Sequence, residues 1–465
     1  HESLNLSKVL PAPVIFVVEN NLYASHMHMS FRQPSDSTTR FAEANSLKYK
    51  IVDGNDVLEV YKTITNIAKE LRNGGGPVIV EALTFRMRGH EEASGTDYIP
   101  KSLFDKWSKK DPILSFKKYL KTKKILNKKE QEKIDKKIAE MIDPSFEYAF
   151  NSNEPESDET NELNDVFKVY EFKKIDSSNS KVEKRYVDAI SETLNTIMQK
   201  DKKTIIMGQD ISEYGGVFKI TKDFLENFGA DRVRNTPIIE SGILGASIGL
   251  ALEGYKPIVE MQFADFVSCG FNQITNNIAK TYYRWNESLN ITIRMPYGGG
   301  MAAGPFHSQS PESWFFHTPG LKIVAPSTPQ DAKGLLNASI NDPNPVLYFE
   351  HKYMYRSVKG MVSENDFNIE IGKANIKKSG SDLSVITYGM GVHWALDVAK
   401  KLETEGINIE VLDLRSLLPW DKELVEKSLT KTNRALILHE ANLTGGIGAE
   451  ISAYIVEHCF KFLDA

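Results

Sequence analysis

PVIFVVENN, residues 13–21, is a short β-branched run that begins at a proline and ends in a polar turn, the pattern of a buried parallel strand. Working outward, residues 56–72 place Val57, Val60, Ile64, Ile67, Ala68 and Leu71 at helical spacing. PVIVEA, residues 77–82, repeats the strand pattern. Strand, helix, strand in this order implies a βαβ unit and a parallel sheet. In such sheets ligands bind beyond the carboxyl ends of the strands, and that is where Asn20 and Asn21 stand.

Residues 112–143 are rich in Lys and Glu, with apolar residues near helical spacing. Because the two signs are interspersed, this predicts a solvated helical surface and no nucleic-acid site. NSNEPESDETNELN, residues 151–164, holds five carboxylates, no base and a single apolar residue. That is too little apolar surface to fold alone, so 151–185 is expected to be an acidic linker. Beyond it, 186–199 reads as an amphipathic helix, 204–207 as a strand, 242–252 as a Gly/Ala-rich helix, and 257–262 and 291–295 as strands. A third series has strands at 383–388, 409–414 and 435–439. The spacing predicts an α/β protein of three doubly wound parallel-sheet units, at 1–150, 186–355 and 356–465.

Composition agrees with several domains, since 465 residues exceed the ~250–300 at which a single core stops growing. A net charge of −5 gives no chain-wide field for nucleic acid or a membrane surface. No apolar run approaches the ~18 residues of a membrane span. Cys269 and Cys459 stand far apart, so neither a disulfide framework nor a zinc ligand set can be built, and a reducing cytoplasm is expected.

Four places carry candidate chemistry. Asparagine oxygens are hard, neutral ligands suited to Mg²⁺, above all one already bound to diphosphate; the same pair also serves as an ordinary turn. In RMRGH, residues 86–90, a histidine beside a cation and a glycine titrates near neutrality and donates to anions, or is simply a loop histidine bonded to water. Glu240 lies between Ile238-Ile239 and a glycine-rich helix. Burial would raise its carboxyl pKa and let it exchange a proton with a heteroaromatic nitrogen; alternatively it is a first-turn carboxylate facing the helix dipole. His307, in YGGGMAAGPFHSQSPESWFF, sits on a loop whose glycines allow it to deliver an acid or base to a pocket, or to be an ordinary surface loop. His317, His351, His393 and His439 read as structural.

Taken together, these motifs resemble the thiamine-diphosphate-dependent decarboxylating component of the 2-oxoacid dehydrogenase complexes, of the transketolase-like superfamily. Residues 1–150 resemble the carboxyl-terminal part of its α subunit through PVIFVVENNLYA, VDGND and PVIVEALTFRMRGH. Residues from about Tyr186 onward resemble its β subunit through NTPIIESGILG, EMQFADF, FHSQSPE, FEHKYMYR, DLRSLLPWD and HEANLTGGIGAEIS. Two subunits are thus joined in one chain. The resemblance implies thiamine diphosphate and Mg²⁺ as cofactors, with the Asn21 side chain and the Tyr23 carbonyl as metal ligands. The family's matching Gly-Asp-Gly is expected upstream of His1, in a longer natural chain that also continues past Ala465.

By the same resemblance Glu240 contacts the aminopyrimidine ring nitrogen, and the proton exchange there activates the thiazolium carbon that attacks the substrate's keto carbon before CO₂ leaves. His307 corresponds to the histidine that serves reductive acylation of lipoyl groups. His90 corresponds to the histidine near the diphosphate and the reacting carbon. Where animal relatives carry a regulatory serine after that histidine, Glu91 and Glu92 follow here. FHSQSPESWFF and FEHKYMYR look closer to the branched-chain type than to the pyruvate or acetoin type. The implied partner is a lipoyl-bearing dihydrolipoyl acyltransferase, and the implied assembly is a homodimer equivalent to α2β2. A non-catalytic scaffold of the complex is the rival from another class; the retained Asn21, His90, Glu240 and His307 argue against it.

Overall fold

The structure, a computed structural model, describes residues 2–464; His1 and Ala465, the ends of the first and last expected domains, lie outside the described residues. Two compact units divide between Glu156 and Ser157.

In the first unit, β1 (Ile15–Asn20), β2 (Lys48–Asp53) and β3 (Val78–Leu83) form a parallel sheet in the order β1-β3-β2. Ile15 and Lys48 both lie opposite Val78, so the three strands end level. The helix Val57–Arg72 starts at Asp56, whose carboxylate accepts from the Leu58 and Glu59 N–H groups, the usual way to satisfy orphan donors. Its Val60, Ile64, Ile67 and Leu71 cover Val52, Val78, Val80 and Ala82. The helices Pro112–Thr122 and Lys128–Asn151 have no buried residue, and their Ile134, Ile138 and Met141 are exposed.

The expected linker 151–185 is ordered over its second half in the second unit. Its composition cannot build a core, but its backbone finds partners on the domain it crosses. The Lys168 N–H donates to Asn344 Oδ1 (2.7 Å), and Asn344 Nδ2 donates back to the Lys168 carbonyl (3.0 Å). The Ile175 N–H donates to Asn368 Oδ1 (2.7 Å) and the Ser178 N–H to Ser363 Oγ (2.7 Å). The strap ends as β4 (Lys181–Arg185).

A seven-stranded sheet follows, made of β5 (Thr204–Gly208), β6 (Val233–Asn235), β7 (Lys256–Glu260), β8 (Thr292–Tyr297), β9 (Lys322–Val324), β10 (Val346–His351) and one strand from further on. β11 (Lys359–Ser363) pairs antiparallel with β4. A four-stranded sheet is built from β12 (Asn375–Lys378), β13 (Leu383–Thr387), β14 (Ile409–Asp413) and β16 (Ala435–Leu438), in the order β12-β14-β13-β16. β15 (Ser416–Leu418) leaves it to pair antiparallel with β9, giving the large sheet the order β15-β9-β10-β8-β7-β5-β6. β12 and β15 are thus antiparallel additions to otherwise parallel sheets. β11 ties the region assigned to 356–465 to the end of the strap, and β15 ties it to the preceding domain, where Arg415 Nη1 also reaches Asp331 Oδ1 (3.3 Å). Among the described residues no helix is long and apolar enough to cross a membrane.

Candidate active site

In the first unit β1 delivers two amides with different tasks. Asn20 is buried: its Nδ2 donates to Glu81 Oε1 (2.7 Å) and its Oδ1 accepts from the Leu22 N–H (3.0 Å). Glu81, wholly buried in β3, also accepts from Ser37 Oγ (2.6 Å) and the Thr38 N–H (3.1 Å). Asn20 is therefore a strut. Asn21 Oδ1 accepts from the Tyr23 N–H (3.0 Å), which fixes the side-chain oxygen in a tight turn.

Around that turn stands a ring cluster. Tyr23 lies 5.0 Å from His28 and 5.9 Å from Tyr98, and His26 lies 4.8 Å from Tyr98 and 6.4 Å from His90. Burial, and then the neighbouring Tyr98, raises the Tyr23 phenol. Arg86 binds the group together: Nη2 donates to the Ser25 carbonyl (2.6 Å) and Nη1 meets His90 Nδ1 at 3.1 Å. A guanidinium only donates, so Nδ1 accepts and the network assigns the ring proton to Nε2. The structure brings Asn21, Tyr23 and His90 into one neighbourhood. His26, His28 and Tyr98 were not singled out in the sequence; the rings in YASHMHM were the available signal for the two histidines.

In the second unit Glu240 is the first residue of the helix Glu240–Leu252 and is 7% exposed. Oε1 accepts from Gln209 Nε2 (3.2 Å), and Oε2 has no protein donor among the described residues. The turn Ala264–Gly270 runs close against it, and at Gly270 a β-carbon would stand 2.3 Å from Leu244 and 3.5 Å from the Glu240 carbonyl. The same turn supports His307. Its ring is edge-on to Phe263 (4.8 Å) and Phe266 (5.5 Å), with no hydrogen bond of its own among the described residues. One short turn thus braces both residues, a relation invisible in their separation along the chain.

Behind His307 lies a buried polar cluster. Lys352 is 2% exposed, with Nζ 3.4 Å from the Pro296 carbonyl. Burial depresses it to about 8, against the pull of Asp265 and Glu440. His351, read from the sequence as structural, pairs Nε2 with Glu440 Oε2 at 2.5 Å, while its buried Nδ1 has no partner. Tyr388 donates to Glu312 Oε1 (2.6 Å), and Glu312 Oε2 is buried and unpartnered. Burial pushes Glu312 up to about 7, opposed by the Tyr388 hydrogen bond and assisted by Glu440.

A carboxyl raised from 4.5 to about 7 by folding binds its proton more tightly in the folded state. Its contribution to stability is complete below the lower value and is lost as pH rises through the upper one. Wild type is expected to lose on the order of 2 kcal/mol from this group between pH 5 and pH 7. Glu312→Gln should flatten that slope, whereas Lys352 acts only above about 8. Urea unfolding of both proteins at the two pH values checks it; equal slopes would contradict the assignment.

Parallel sheets with polar turns at the carboxyl ends of their strands, a buried carboxyl opening a glycine-rich helix and an antiparallel-edged third sheet make an α/β protein, and matches to known families place it in the transketolase type. Residues 1–158 match the family described as Dehydrogenase E1 component, 183–358 the Transketolase, pyrimidine binding domain, and 372–465 the Transketolase, C-terminal domain. The 2-oxoisovalerate dehydrogenase subunit beta of Bacillus subtilis is 48% identical over 60% of this chain and 86% of its own length. The mitochondrial 2-oxoisovalerate dehydrogenase subunit beta 2 of Arabidopsis thaliana is 46% identical over 60% of this chain and 78% of its own. The pyruvate dehydrogenase E1 component subunit beta of Staphylococcus aureus is 42% identical over 60% and 86%. A solved structure described as "Split gene transketolase, inactive beta4 tetramer" superposes with a TM-score of 0.50 at 23% identity, over 59% of this chain and 84% of that one, a likeness of fold. The chain belongs to the thiamine-diphosphate-dependent 2-oxoacid dehydrogenase E1 family, with an α-like part followed by a β-like part in one polypeptide.

Proposed function

We propose that this enzyme decarboxylates a branched-chain 2-oxoacid of the 3-methyl-2-oxobutanoate type and acylates the lipoyl group of a dihydrolipoyl acyltransferase. The observation that carries the reading is Glu240, a buried carboxyl with one oxygen held by Gln209 and the other open. Such a group fits a heteroaromatic nitrogen, to which it can lend and from which it can take a proton. Asn21 fits a hard cation, because its Oδ1 is fixed by the Tyr23 N–H and keeps a second lone pair. Asn21 and the Tyr23 carbonyl would be two of the ligands of an Mg²⁺ that also takes diphosphate oxygens and the carboxylate of the Gly-Asp-Gly expected upstream. When bound, thiamine diphosphate supplies an electron sink for the pair of electrons left by departing CO₂.

The chain's own residues divide the remaining work. Glu240 moves a proton at Oε2. His90 directs its Nε2–H toward anionic oxygen. In the acylation step, where the electron pair left by departing CO₂ reduces the lipoyl S–S bond and one sulfur takes the acyl group as a thioester, His307 would give a proton to the other sulfur, released as a thiolate. The enzyme would work as a homodimer in the reducing cytoplasm, where Cys269 and Cys459 stay free.

The branched-chain choice is supported by the names of the Bacillus and Arabidopsis relatives and by FEHKYMYR. kcat/KM for 3-methyl-2-oxobutanoate is expected to exceed that for pyruvate by about 10-fold or more, the scale a pocket shaped for extra methyl groups provides. A preference for pyruvate would move the chain to the Staphylococcus type.

A further inference from the structure

The loop that carries His307 has few bonds of its own: the His307 N–H and Ser308 Oγ both donate to the Gly304 carbonyl (3.2 and 2.7 Å). Gly298, Gly300, Ala302 and Gly304 all have positive φ, between 54° and 86°, and residues 300–306 are exposed. Only one short turn, Pro305–His307, interrupts it. Chain of this kind has many accessible conformations, so the place of its histidine depends on where the loop is fastened.

The fastenings are few. The Gly298 N–H donates to the Gln309 carbonyl (3.0 Å), closing the neck, and the Gln309 N–H donates to Asp265 Oδ1 (3.0 Å). Besides these and the packing of His307 on Phe263 and Phe266, a further tie comes from the last sheet. Glu440, two residues beyond β16, accepts from the Gly299 N–H through Oε1 (2.6 Å) and pairs its Oε2 with His351 Nε2 (2.5 Å). His351 is the last residue of β10, and Gly298 lies so close over its ring that a β-carbon there would stand 2.2 Å from Nε2. Burial works against the Glu440 charge, but His351, the Gly299 N–H and Lys352 together hold its carboxyl below the ordinary range. One carboxylate from the carboxyl-terminal domain therefore clamps the amino end of the His307 loop onto the floor beneath it. A charged acceptor on a backbone N–H is among the stronger hydrogen bonds available.

We propose that Glu440 is a positioning residue for His307, through which the carboxyl-terminal domain sets the geometry of lipoyl acylation while leaving decarboxylation largely untouched. This rests on the reading of His307 given above. Loss of the clamp frees the loop; misplacement of a catalytic group by about 1 Å is enough to cost ~10²-fold.

The test compares Glu440→Ala, Glu440→Gln, His307→Ala and Glu440→Ala/His307→Ala in the full chain with thiamine diphosphate and Mg²⁺. Decarboxylation is read with 2,6-dichlorophenolindophenol as electron acceptor, acylation with lipoamide, and loop order by hydrogen–deuterium exchange of peptides covering 299–309 without substrate. Glu440→Ala should slow acylation at least ~10-fold and dye-coupled turnover by no more than ~3-fold, and should raise exchange in the loop. Glu440→Gln, whose amide oxygen can still accept from Gly299, should fall between, and the double variant should be no slower than His307→Ala alone. Unchanged exchange in Glu440→Ala, or equal losses in both assays, would overturn the clamp. Full acylation by His307→Ala would instead overturn the role given to His307, with the exchange result still deciding whether Glu440 anchors the loop.

Discussion

Glu240→Gln is expected to lose ~10²–10⁴-fold in the rate of dye-coupled decarboxylation, the range that a positioned acid or base contributes. The substitution is nearly isosteric, and the new amide oxygen can accept the same Gln209 Nε2 hydrogen bond at 3.2 Å, so the first turn of Glu240–Leu252 keeps its internal geometry. What disappears is the ability to hold and return a proton at the open oxygen. The cost to folding should be small, because a first-turn carboxylate facing the helix dipole contributes only about 0.3–1 kcal/mol. Calorimetric titration with thiamine diphosphate and Mg²⁺ separates binding from chemistry: affinity should fall far less than turnover. A Glu240→Gln enzyme with turnover within ten-fold of wild type would remove Glu240 from the proton path and return it to the helix-dipole role.

In the sequence β3 and β5 read as unbroken apolar runs because parallel strands covered by helices have no wet face to alternate with. β1 reads the same way although it is an edge strand with Val17 and Glu19 exposed, so the expected burial is only partial there. β2 was not legible: KYKIVD lies at the sheet edge with four of its six residues exposed, and edge strands carry charge for that reason. β10 was hidden differently. VLYFEH is fully buried yet ends in a carboxylate and an imidazole, and such groups look like surface until the partners that neutralise them are known. The strap from 165 to 185 misled for a third reason, since its order comes from Asn344, Asn365, Asn368 and Ser363, side chains far along the chain that complete its backbone hydrogen bonds. Candidate site residues were legible wherever chemistry demands a particular side chain, as at Glu240 and His307. The parts that hold them, Phe263, Phe266 and Glu440, stand in the motifs EMQFADF and HEANLTGGIGAEIS, but their bracing task was not legible there, because it is defined by distance in space alone.

The largest stability effect is expected at Arg294, which is fully buried at the centre of the seven-stranded sheet. Its Nε and Nη2 donate to the two oxygens of Glu350 (2.6 and 2.8 Å), and Nη1 donates to Glu260 Oε2 (2.5 Å). Tyr355 Oη completes the group on Glu350 (2.6 Å). Burial pushes the Glu260 carboxyl up, only partly offset by the Arg294 charge. Arg294→Met keeps much of the volume and deletes the cation, leaving two carboxylates in the core without their counter-charge, so the second unit should lose ~3–5 kcal/mol. The pH dependence fixes the cause. Without Arg294 the Glu260 carboxyl, already pushed up by burial, binds its proton more tightly still in the folded protein, so the deficit should be smaller near pH 5 and grow toward pH 8. Adding Glu260→Leu and Glu350→Met to Arg294→Met should recover most of the loss, because an apolar replacement of a buried ion group has no desolvation cost to offset. Urea unfolding of the three proteins at both pH values tests this, and a pH-independent deficit would point to packing in place of charge. The consequence reaches the site. β7, β8 and β10, which the lattice joins side by side, lead directly into Met261–Phe263, Gly298 and His351, so the same variant should loosen the floor under His307 before the unit unfolds. In the single variant, acylation of lipoamide should therefore fail at a lower urea concentration than the loss of helical circular dichroism, a separation that wild type, with its lattice intact, should not show.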